Sequence, residues 1–435
     1  MKCKSVKKII WLFGVLMISI VLGVVLMFLV YALPVENMRQ NVRETLQIQL
    51  DEGDYYTWIS GDDTSRSDNF TDAWMIQNAI YNGNESTLDK ALLNPSAGYA
   101  EGTETQSLEK VLKDIPEDYH IEYGRYWHGY LIVLKPLLLI LNYSEIRWVK
   151  SMVACFLMTI IFFLLYKRFR NYKYSIAFFA SVLFLNPIVM RASLQFNTVF
   201  FVILLEYIAM LFKGDQLKKQ EKTEVLFLIS GILVAFVDLL TYPISALGML
   251  LILQDIMFDE PLKKRVKQAF AGLVCWCLGY SGMWAAKWVV ASVFTGKNMI
   301  KNAVEQVAYR SGTDIGIDGW EFSYKCLFKG NFNWLLNSSN ALLFKMFLGI
   351  LIFTIIVFFI KKEITIKVNI PLVIMQILFC FIPIARYLVL KNHSYIHSFF
   401  TYREGMVYVM ASLCLVFGCI QKIPKQDIVN EKTII

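Results

Sequence analysis

The chain has 435 residues, of which 56% are apolar, 15% are aromatic and only 18% are charged, and its net charge is +8. Soluble domains carry about 25% charged residues, so the composition excludes an ordinary soluble enzyme. Lysine and arginine form short clusters between apolar runs, a pattern that indicates membrane topology rather than nucleic-acid binding.

The first predicted element is a membrane-spanning helix at residues 1–33. Its basic start, MKCKSVKK, precedes about 25 apolar residues, which is longer than the apolar core of a typical signal peptide. The small-residue cleavage pattern of a signal peptide does not follow. We therefore expect a retained signal anchor with a cytoplasmic N-terminus.

Residues 34–128 form a predicted extracytoplasmic loop domain. This segment is acidic, with 18 Asp and Glu residues against seven Lys and Arg residues. It begins with a predicted amphipathic helix at 35–50. Further on, the sequence SRSDNFTDAWMIQNAIY predicts a helix at 73–81, capped by Asn69 or Thr71.

Two carboxylates of this stretch are candidate catalytic residues. Asp68 and Asp72 are four residues apart and share one face if the helix includes both. A capped surface helix would explain this spacing equally well. A positioned carboxylate can also take the proton of an attacking hydroxyl, so we select Asp72 and Asp68 as candidate general bases. Asp62, Asp63 and Glu36 remain alternatives.

Residues 129–148 are predicted to form an interfacial or re-entrant segment on the outer face. The apolar run GYLIVLKPLLLILN is too short to cross a bilayer, and Pro136 bends it. Arg125, His128 and Lys135 are candidate substrate-binding residues here. Arginine binds phosphate oxygens with a rigid fork of donors, although an aromatic belt would explain the adjacent Tyr and Trp residues.

Nine further spans follow from the apolar runs. We place them near 149–166, 174–190, 197–213, 223–241, 243–258, 268–293, 341–360, 369–389 and 405–420. Basic clusters occupy every second connection, so both termini are predicted to be cytoplasmic. The predicted fold class is an all-α polytopic membrane protein with about ten transmembrane helices and a large extracytoplasmic first loop.

These spans divide the rest of the chain into four predicted parts. They are a transmembrane bundle at 149–293, a second extracytoplasmic loop at 294–340, C-terminal transmembrane helices at 341–420 and a cytoplasmic tail at 421–435. Asp238 and Arg386 fall near the outer ends of their spans. Charged side chains in a membrane usually face a cavity or a partner, so both are candidate substrate-binding residues, with snorkelling to the headgroups as the alternative.

The last outer loop, LKNHSYIHSFFTYREG, is strongly basic although it lies outside. Its candidate substrate-binding residues are Lys391, His393, His397, Tyr402 and Arg403. Their charges are suited to the phosphate of a lipid-linked substrate. The i,i+4 spacing of His393 and His397 also fits two ligands of one metal ion, but no third ligand stands nearby. The sequence therefore assigns no metal site and no cofactor, and a divalent cation stays open.

The segment that follows the first loop carries a family resemblance. Its residues are Arg125-Tyr126-Trp127-His128, Gly129-Tyr130, Lys135-Pro136, Asn142-Tyr143-Ser144 and Ile146-Arg147. This segment is similar to the corresponding region of protein O-mannosyltransferases and lipid A aminoarabinose transferases, without their double proline. The whole layout resembles the GT-C class of membrane glycosyltransferases, which use polyprenyl-phosphate sugars.

The resemblance implies an inverting sugar transfer on the extracytoplasmic side of a plasma membrane. A loop carboxylate would act as the base, and basic residues would steady the lipid phosphate. The implied partners are a polyprenyl-phosphate-sugar donor, a cell-envelope glycan or lipid-linked acceptor, and membrane lipids, with no nucleic acid. Three alternatives remain: a lipid-linked glycan polymerase or ligase, a transporter or flippase of lipid-linked precursors, and a non-catalytic scaffold.

Overall fold

The computed structural model describes residues 2–317, 319–337, 339–360 and 364–422. Over these residues the chain is mostly helical, and its strands form two short antiparallel pairs. The predicted cytoplasmic tail at 421–435 lies outside the described residues from 423 onward.

Five of the described helices are long and apolar enough to cross a membrane. They are Val6–Tyr31 within α1 (Lys2–Tyr31), Tyr143–Phe169 (α8), Asn197–Lys219 (α11), Leu262–Thr295 (α14) and Ile370–Val389 (α18). Shorter apolar helices occupy Lys173–Leu183 (α9), Glu224–Val237 (α12), Ile244–Met257 (α13) and the segment Leu348–Ile360. The prediction of a mainly helical chain is thereby confirmed, and the five long apolar helices are compatible with a membrane protein, while the number of about ten spans stays a prediction.

The acidic loop domain folds as five short helices and one strand pair. The helices are Glu36–Arg43 (α2), Leu46–Glu52 (α3), Asn69–Ile80 (α4), Thr87–Leu93 (α5) and Glu104–Leu112 (α6). Strands Pro95–Gly98 (β1) and Tyr119–Glu122 (β2) pair antiparallel, with Pro95 opposite Glu122. The single amphipathic helix predicted at 35–50 is wrong in detail, because the chain breaks at Glu44-Thr45 into two helices.

Between the loop domain and the next long helix lies α7 (Leu131–Leu138), which has Pro136 in its interior. Its eight residues are too few to span a bilayer. The spanning helix α8 then begins at Tyr143, earlier than the predicted start at 149. Its start is set by a capping box, in which Asn142 and Glu145 each satisfy a backbone N–H of the other.

The remaining elements complete the bundle and the segments that connect its helices. They are Pro187–Ala192 (α10), Met299–Ser311 (α15), Tyr324–Asn337 (α16), Ser339–Ile360 (α17), Lys391–Ile396 (α19), Ser398–Thr401 (α20), Met406–Cys419 (α21), Ile364–Ile366 (β3) and Ile420–Lys422 (β4). Asp63–Ser65 and Tyr402–Gly405 are 3₁₀ turns. Strands β3 and β4 pair antiparallel.

Glycines bring α12 and α14 into close contact. A Cβ atom on Gly231 would collide with the carbonyl oxygen of Trp276, and one on Gly279 would collide with that of Leu228. Small residues that let two backbones approach closely are typical of helix packing in membranes. Helix α14 also contacts the loop domain: its Met283 carbonyl oxygen accepts from the Trp127 indole N–H at 2.7 Å, and its Lys287 donates to the Ala91 carbonyl oxygen at 3.1 Å.

Candidate functional site

A cavity of about 120 Å³ lies where the loop domain meets the α19–α20 region of the bundle. Its walls come from the start of α4, the segment before α7, the segment between α10 and α11, and the α19–α20 region. Aromatic rings cover much of the lining. The ionisable residues that line the cavity, apart from tyrosines, are Asp68, His128, Arg310, His393 and His397.

Asp68 is the one carboxylate among the described residues that line this cavity. It is the N-cap of α4, where its Oδ1 accepts from the Thr71 backbone N–H at 3.1 Å and its Oδ2 accepts from the Thr71 hydroxyl at 2.9 Å. The side chain is nevertheless buried, at 2% exposure. Burial raises the pKa of Asp68 to about 7, against the opposing effect of the Thr71 hydrogen bonds.

The N-cap of α4 is thus Asp68 rather than Asn69 or Thr71, the caps predicted from the sequence. A carboxylate oxygen has two acceptor positions, and one protein donor reaches each oxygen of Asp68. Acceptor capacity therefore remains for a group inside the cavity. A carboxyl with a pKa near neutrality can release and take up a proton at physiological pH.

Asp72 has a different setting, although it lies on the same helix. Its Oδ2 accepts from the Leu194 N–H at 2.7 Å and from the Tyr143 hydroxyl at 3.0 Å. Its Oδ1 accepts from the Gln195 N–H at 2.9 Å and from the Ser193 hydroxyl at 3.3 Å. Burial raises the pKa of Asp72, and the two backbone N–H donors lower it.

These four hydrogen bonds use both oxygens of Asp72 within the protein. Asp72 is also not among the described residues that line the cavity. Its carboxylate instead holds the segment between α10 and α11 against α4. This contact places Gln195, whose buried Oε1 atom has no hydrogen-bond partner among the described residues, on the cavity wall.

His128 lines the cavity in its neutral form. Its Nε2 atom lies 3.3 Å from the Tyr123 carbonyl oxygen, which can only accept, so Nε2 carries the proton and donates. The Nδ1 atom of the neutral ring therefore accepts from the Tyr130 hydroxyl, and these two atoms are 2.8 Å apart. The residue has a positive φ of 54°, a backbone conformation that few residues other than glycine adopt. Burial lowers the pKa of His128 to about 3, and the neighbouring Lys287 lowers it further.

His393 and His397 form a pair of rings in the same wall, with centroids 4.8 Å apart. An Arg386 N–H approaches His393 Nδ1 at 3.4 Å, so this nitrogen is the acceptor. Burial lowers the pKa of His397 to about 3, with further lowering from the charge of Arg310. Among the described residues, no group of three or more His, Cys, Asp or Glu side chains is placed to hold a metal ion.

Arg403 is completely buried beside the cavity. Its guanidinium lies 3.9 Å from the ring centroid of Phe196, and its Nη1 donates to the Phe399 carbonyl oxygen at 3.0 Å. The Nε and Nη2 atoms have no hydrogen-bond partner among the described residues. The positive charge of Arg403 lowers the pKa of Asp68, so the two groups interact electrostatically. The preceding Tyr402 is buried, and its hydroxyl reaches the Thr64 carbonyl oxygen at 3.5 Å.

Three of the predicted substrate-binding residues lie in structural contacts. Arg386 forms a buried ion pair with Glu404, with Nε 2.8 Å from Oε1, although the angle is poor for a hydrogen bond. Asp238 accepts from the backbone and hydroxyl of Thr241. Lys135 donates to the Ala79 carbonyl oxygen at 2.5 Å, in the last turn of α4, where a cation is favourable.

The last two predicted residues lie near the cavity without lining it. Arg125 packs its guanidinium 3.9 Å from the ring centroid of Tyr123, which is a cavity residue. Lys391 is half-buried at the first residue of α19, two residues before His393. The structure therefore brings Asp68, His128 and the histidine pair together.

Sequence reasoning missed several residues of the lining. Gln195 and Arg310 are polar members of the wall, and Tyr55, Trp74 and Phe399 supply aromatic surface. Arg310 lies on α15 in the predicted second extracytoplasmic loop, and no sequence motif around it indicates a binding residue. Gln195 lies just before a membrane-spanning helix, and only its contact with α4 reveals its place.

No family model, no curated protein and no solved structure matches this chain. The geometry of the cavity and the chemistry of its residues are therefore the basis for assigning a function.

Proposed function

We propose that this protein is a membrane glycosyltransferase that moves a sugar from a polyprenyl-phosphate donor to a cell-envelope acceptor. The observation that carries the proposal is Asp68, a buried carboxylate with free acceptor capacity and a pKa raised to about 7, in an aromatic cavity. General bases work best when their pKa lies near the operating pH. Asp68 is accordingly the proposed base, and Asp72 is proposed to position the segment that carries Gln195.

The proposed step is an inverting displacement at the anomeric carbon. The acceptor hydroxyl transfers its proton to Asp68 as its oxygen forms a bond to the anomeric carbon. The bond between that carbon and the donor phosphate oxygen breaks, and polyprenyl phosphate leaves with the electron pair. Arg310 lines the cavity and Arg403 lies buried next to it, so their positive charges oppose the growing negative charge on the phosphate.

The lining of the cavity supports a sugar rather than an ion as the ligand. Ligand sites are typically lined by aromatic side chains with a few placed polar groups. Here Tyr55, Trp74 and Tyr123 provide ring faces and edges, while His128 and Gln195 provide polar atoms. The Oε1 atom of Gln195 has no partner in the described protein and is available to a sugar hydroxyl.

The proposed topology has about ten spans, cytoplasmic termini and the cavity on the extracytoplasmic side of a plasma membrane. The five long apolar helices and the shorter apolar helices between them support this arrangement. The proposed GT-C-like division of the chain follows the predicted boundaries, with the loop domain 34–128 and the interfacial segment 129–148 forming one side of the active site. In this orientation a lipid-linked donor reaches the cavity from the outer leaflet.

The test is sugar transfer by the purified protein in nanodiscs. A panel of labelled polyprenyl-phosphate sugars is offered with cell-envelope glycans and lipid-linked acceptors, and released polyprenyl phosphate is measured. NMR of the product is expected to show the anomeric configuration inverted. Movement of intact labelled donor between leaflets of proteoliposomes, without its consumption, would instead identify a transporter.

A further inference from the structure

A second cavity, of about 200 Å³, lies at the N-terminal end of the spanning helix α8. Arg147 and Trp148 of that helix form one wall, and Ile188 and Arg191 of α10 form another. Glu52, at the end of α3, closes the cavity from the loop domain. The site described above uses none of these side chains.

The second cavity carries an excess of positive charge. Glu52 and Arg147 pair with each other through two N–H···O contacts of 2.7 Å. Arg191 has no such partner, since no carboxylate of the described residues lies within salt-bridge distance of it. Its guanidinium lies 4.2 Å from the ring centroid of Trp148. A third cation, Lys150, donates at 2.8 Å to the carbonyl oxygens of Met190 and Arg191 and thereby fixes this end of α10.

Apolar side chains surround this charge and remain exposed. The exposed fractions are 39% for Ile48, 53% for Trp148 and 44% for Ile188. Tryptophan at the end of a spanning helix is typical of the boundary between headgroups and acyl chains. The cavity thus combines an arginine without a carboxylate partner among the described residues and an exposed apolar rim with a tryptophan near the start of a long apolar helix.

We propose that this second cavity binds the phosphate of an anionic bilayer phospholipid. Arg191 donates to the phosphate oxygens, and Trp148 and Ile188 contact the glycerol and the first part of the acyl chains. The fork of arginine donors fits a phosphate group, and the excess charge favours a headgroup that carries no compensating amine. The proposal does not depend on the function of the first cavity.

The second cavity is joined to the first by a chain of hydrogen bonds. An Arg147 N–H donates to the Tyr143 hydroxyl at 2.9 Å, and this hydroxyl donates to Asp72 at 3.0 Å. Asp72 in turn holds the backbone of Gln195, which lines the first cavity. Lipid bound at Arg191 therefore lies at one end of α10, and the segment that forms part of the first cavity starts at the same end.

Native mass spectrometry of the full-length protein in detergent tests the proposal. The protein is titrated with phosphatidylglycerol, with phosphatidylcholine and with inorganic phosphate. We expect wild type to retain phosphatidylglycerol at least tenfold more tightly than phosphatidylcholine. Arg191→Gln removes this preference. The matched control, Lys301→Gln, replaces an exposed cation of α15 and keeps it.

Four results would overturn the proposal. These are equal retention of the two phospholipids by wild type, unchanged retention by Arg191→Gln, displacement of the lipid by millimolar inorganic phosphate, and Arg191-dependent retention of polyprenyl phosphate in preference to phosphatidylglycerol. The third would assign the site to free phosphate, and the fourth would assign it to the donor lipid. Because Arg191 is exposed, its replacement leaves the fold intact. None of these results depends on whether the protein transfers sugar.

Discussion

The substitution Asp68→Asn separates a proton-carrying carboxylate from a structural helix cap. Asparagine has nearly the same shape, and its Oδ1 can accept from the Thr71 N–H as Asp68 does. Its Nδ2 can donate to the Thr71 hydroxyl oxygen, so the start of α4 keeps both contacts. The change removes the negative charge and little else.

Asp68→Asn is expected to stabilise the protein by an amount that depends on pH. The pKa of Asp68 rises from 3.8 to about 7 on folding, so the folded state holds the proton more tightly and is favoured at low pH. This contribution of Asp68 to the free energy of unfolding falls as the pH rises above 3.8 and is absent above about 7. The difference of about three pH units corresponds to a cost on the order of 4 kcal/mol, at about 1.36 kcal/mol per unit. Asp68→Asn has no such cost.

The assay is thermal unfolding in detergent, followed by tryptophan fluorescence at pH 5 and pH 8. We expect the melting temperature of Asp68→Asn to exceed that of wild type by several degrees at pH 8 and by clearly less at pH 5. Asp62→Asn is the matched control, since Asp62 is also buried and caps a turn through the N–H and hydroxyl of Thr64. A melting temperature of Asp68→Asn below that of wild type at pH 8 would show that burial of the Asp68 carboxylate does not destabilise the folded protein.

Four further expectations follow from contacts described above. The rate of transfer should rise about tenfold per pH unit below pH 7 and level off above it, because Asp68 acts only when ionised; a rate independent of pH between 5 and 8 would contradict this. Asp72→Asn should destabilise the protein by about 1–3 kcal/mol in melting experiments, because its NH₂ group replaces one of the two oxygens that each accept from a backbone N–H. An unchanged melting temperature would contradict this expectation. Arg386→Met should cost about 3–5 kcal/mol by leaving a buried carboxylate unpaired, and a change confined to KM would mean that Arg386 binds substrate. Gly279→Val should cost about 1–3 kcal/mol or more by separating α12 from α14, whereas Gly14→Val, which meets nothing within 4 Å, should leave melting unchanged.

The sequence predicts the class of this fold because a membrane imposes a strong local pattern. Helices such as α1 and α18 need long apolar runs, and these runs are visible without any knowledge of tertiary contacts. Boundaries are less visible. The start of α8 at Tyr143 depends on a capping box that extends the helix beyond its apolar part. The break at Glu44-Thr45 has no glycine or proline to mark it.

The candidate site illustrates what local pattern cannot provide. The spacing of Asp68 and Asp72 in the sequence does not distinguish their roles. In the structure, Asp72 accepts from backbone N–H groups more than 120 residues away, whereas Asp68 lines the cavity. Lys135 is a predicted substrate-binding residue, but its partner is a carbonyl oxygen of α4. Gln195 carries no motif at all. Contacts between residues far apart in the chain determine these roles, and such contacts cannot be inferred from a single sequence.

The most direct test of the central claim is the release of polyprenyl phosphate by wild type and by Asp68→Asn, side by side in nanodiscs. We expect wild type to release the lipid phosphate in proportion to the sugar transferred. Asp68→Asn, although folded and at least as stable at pH 8, should release it at least about 100-fold more slowly, as expected for loss of a general base. Release by Asp68→Asn at the wild-type rate would contradict the assignment of Asp68 as the base, and no release by wild type with any donor would contradict sugar transfer itself.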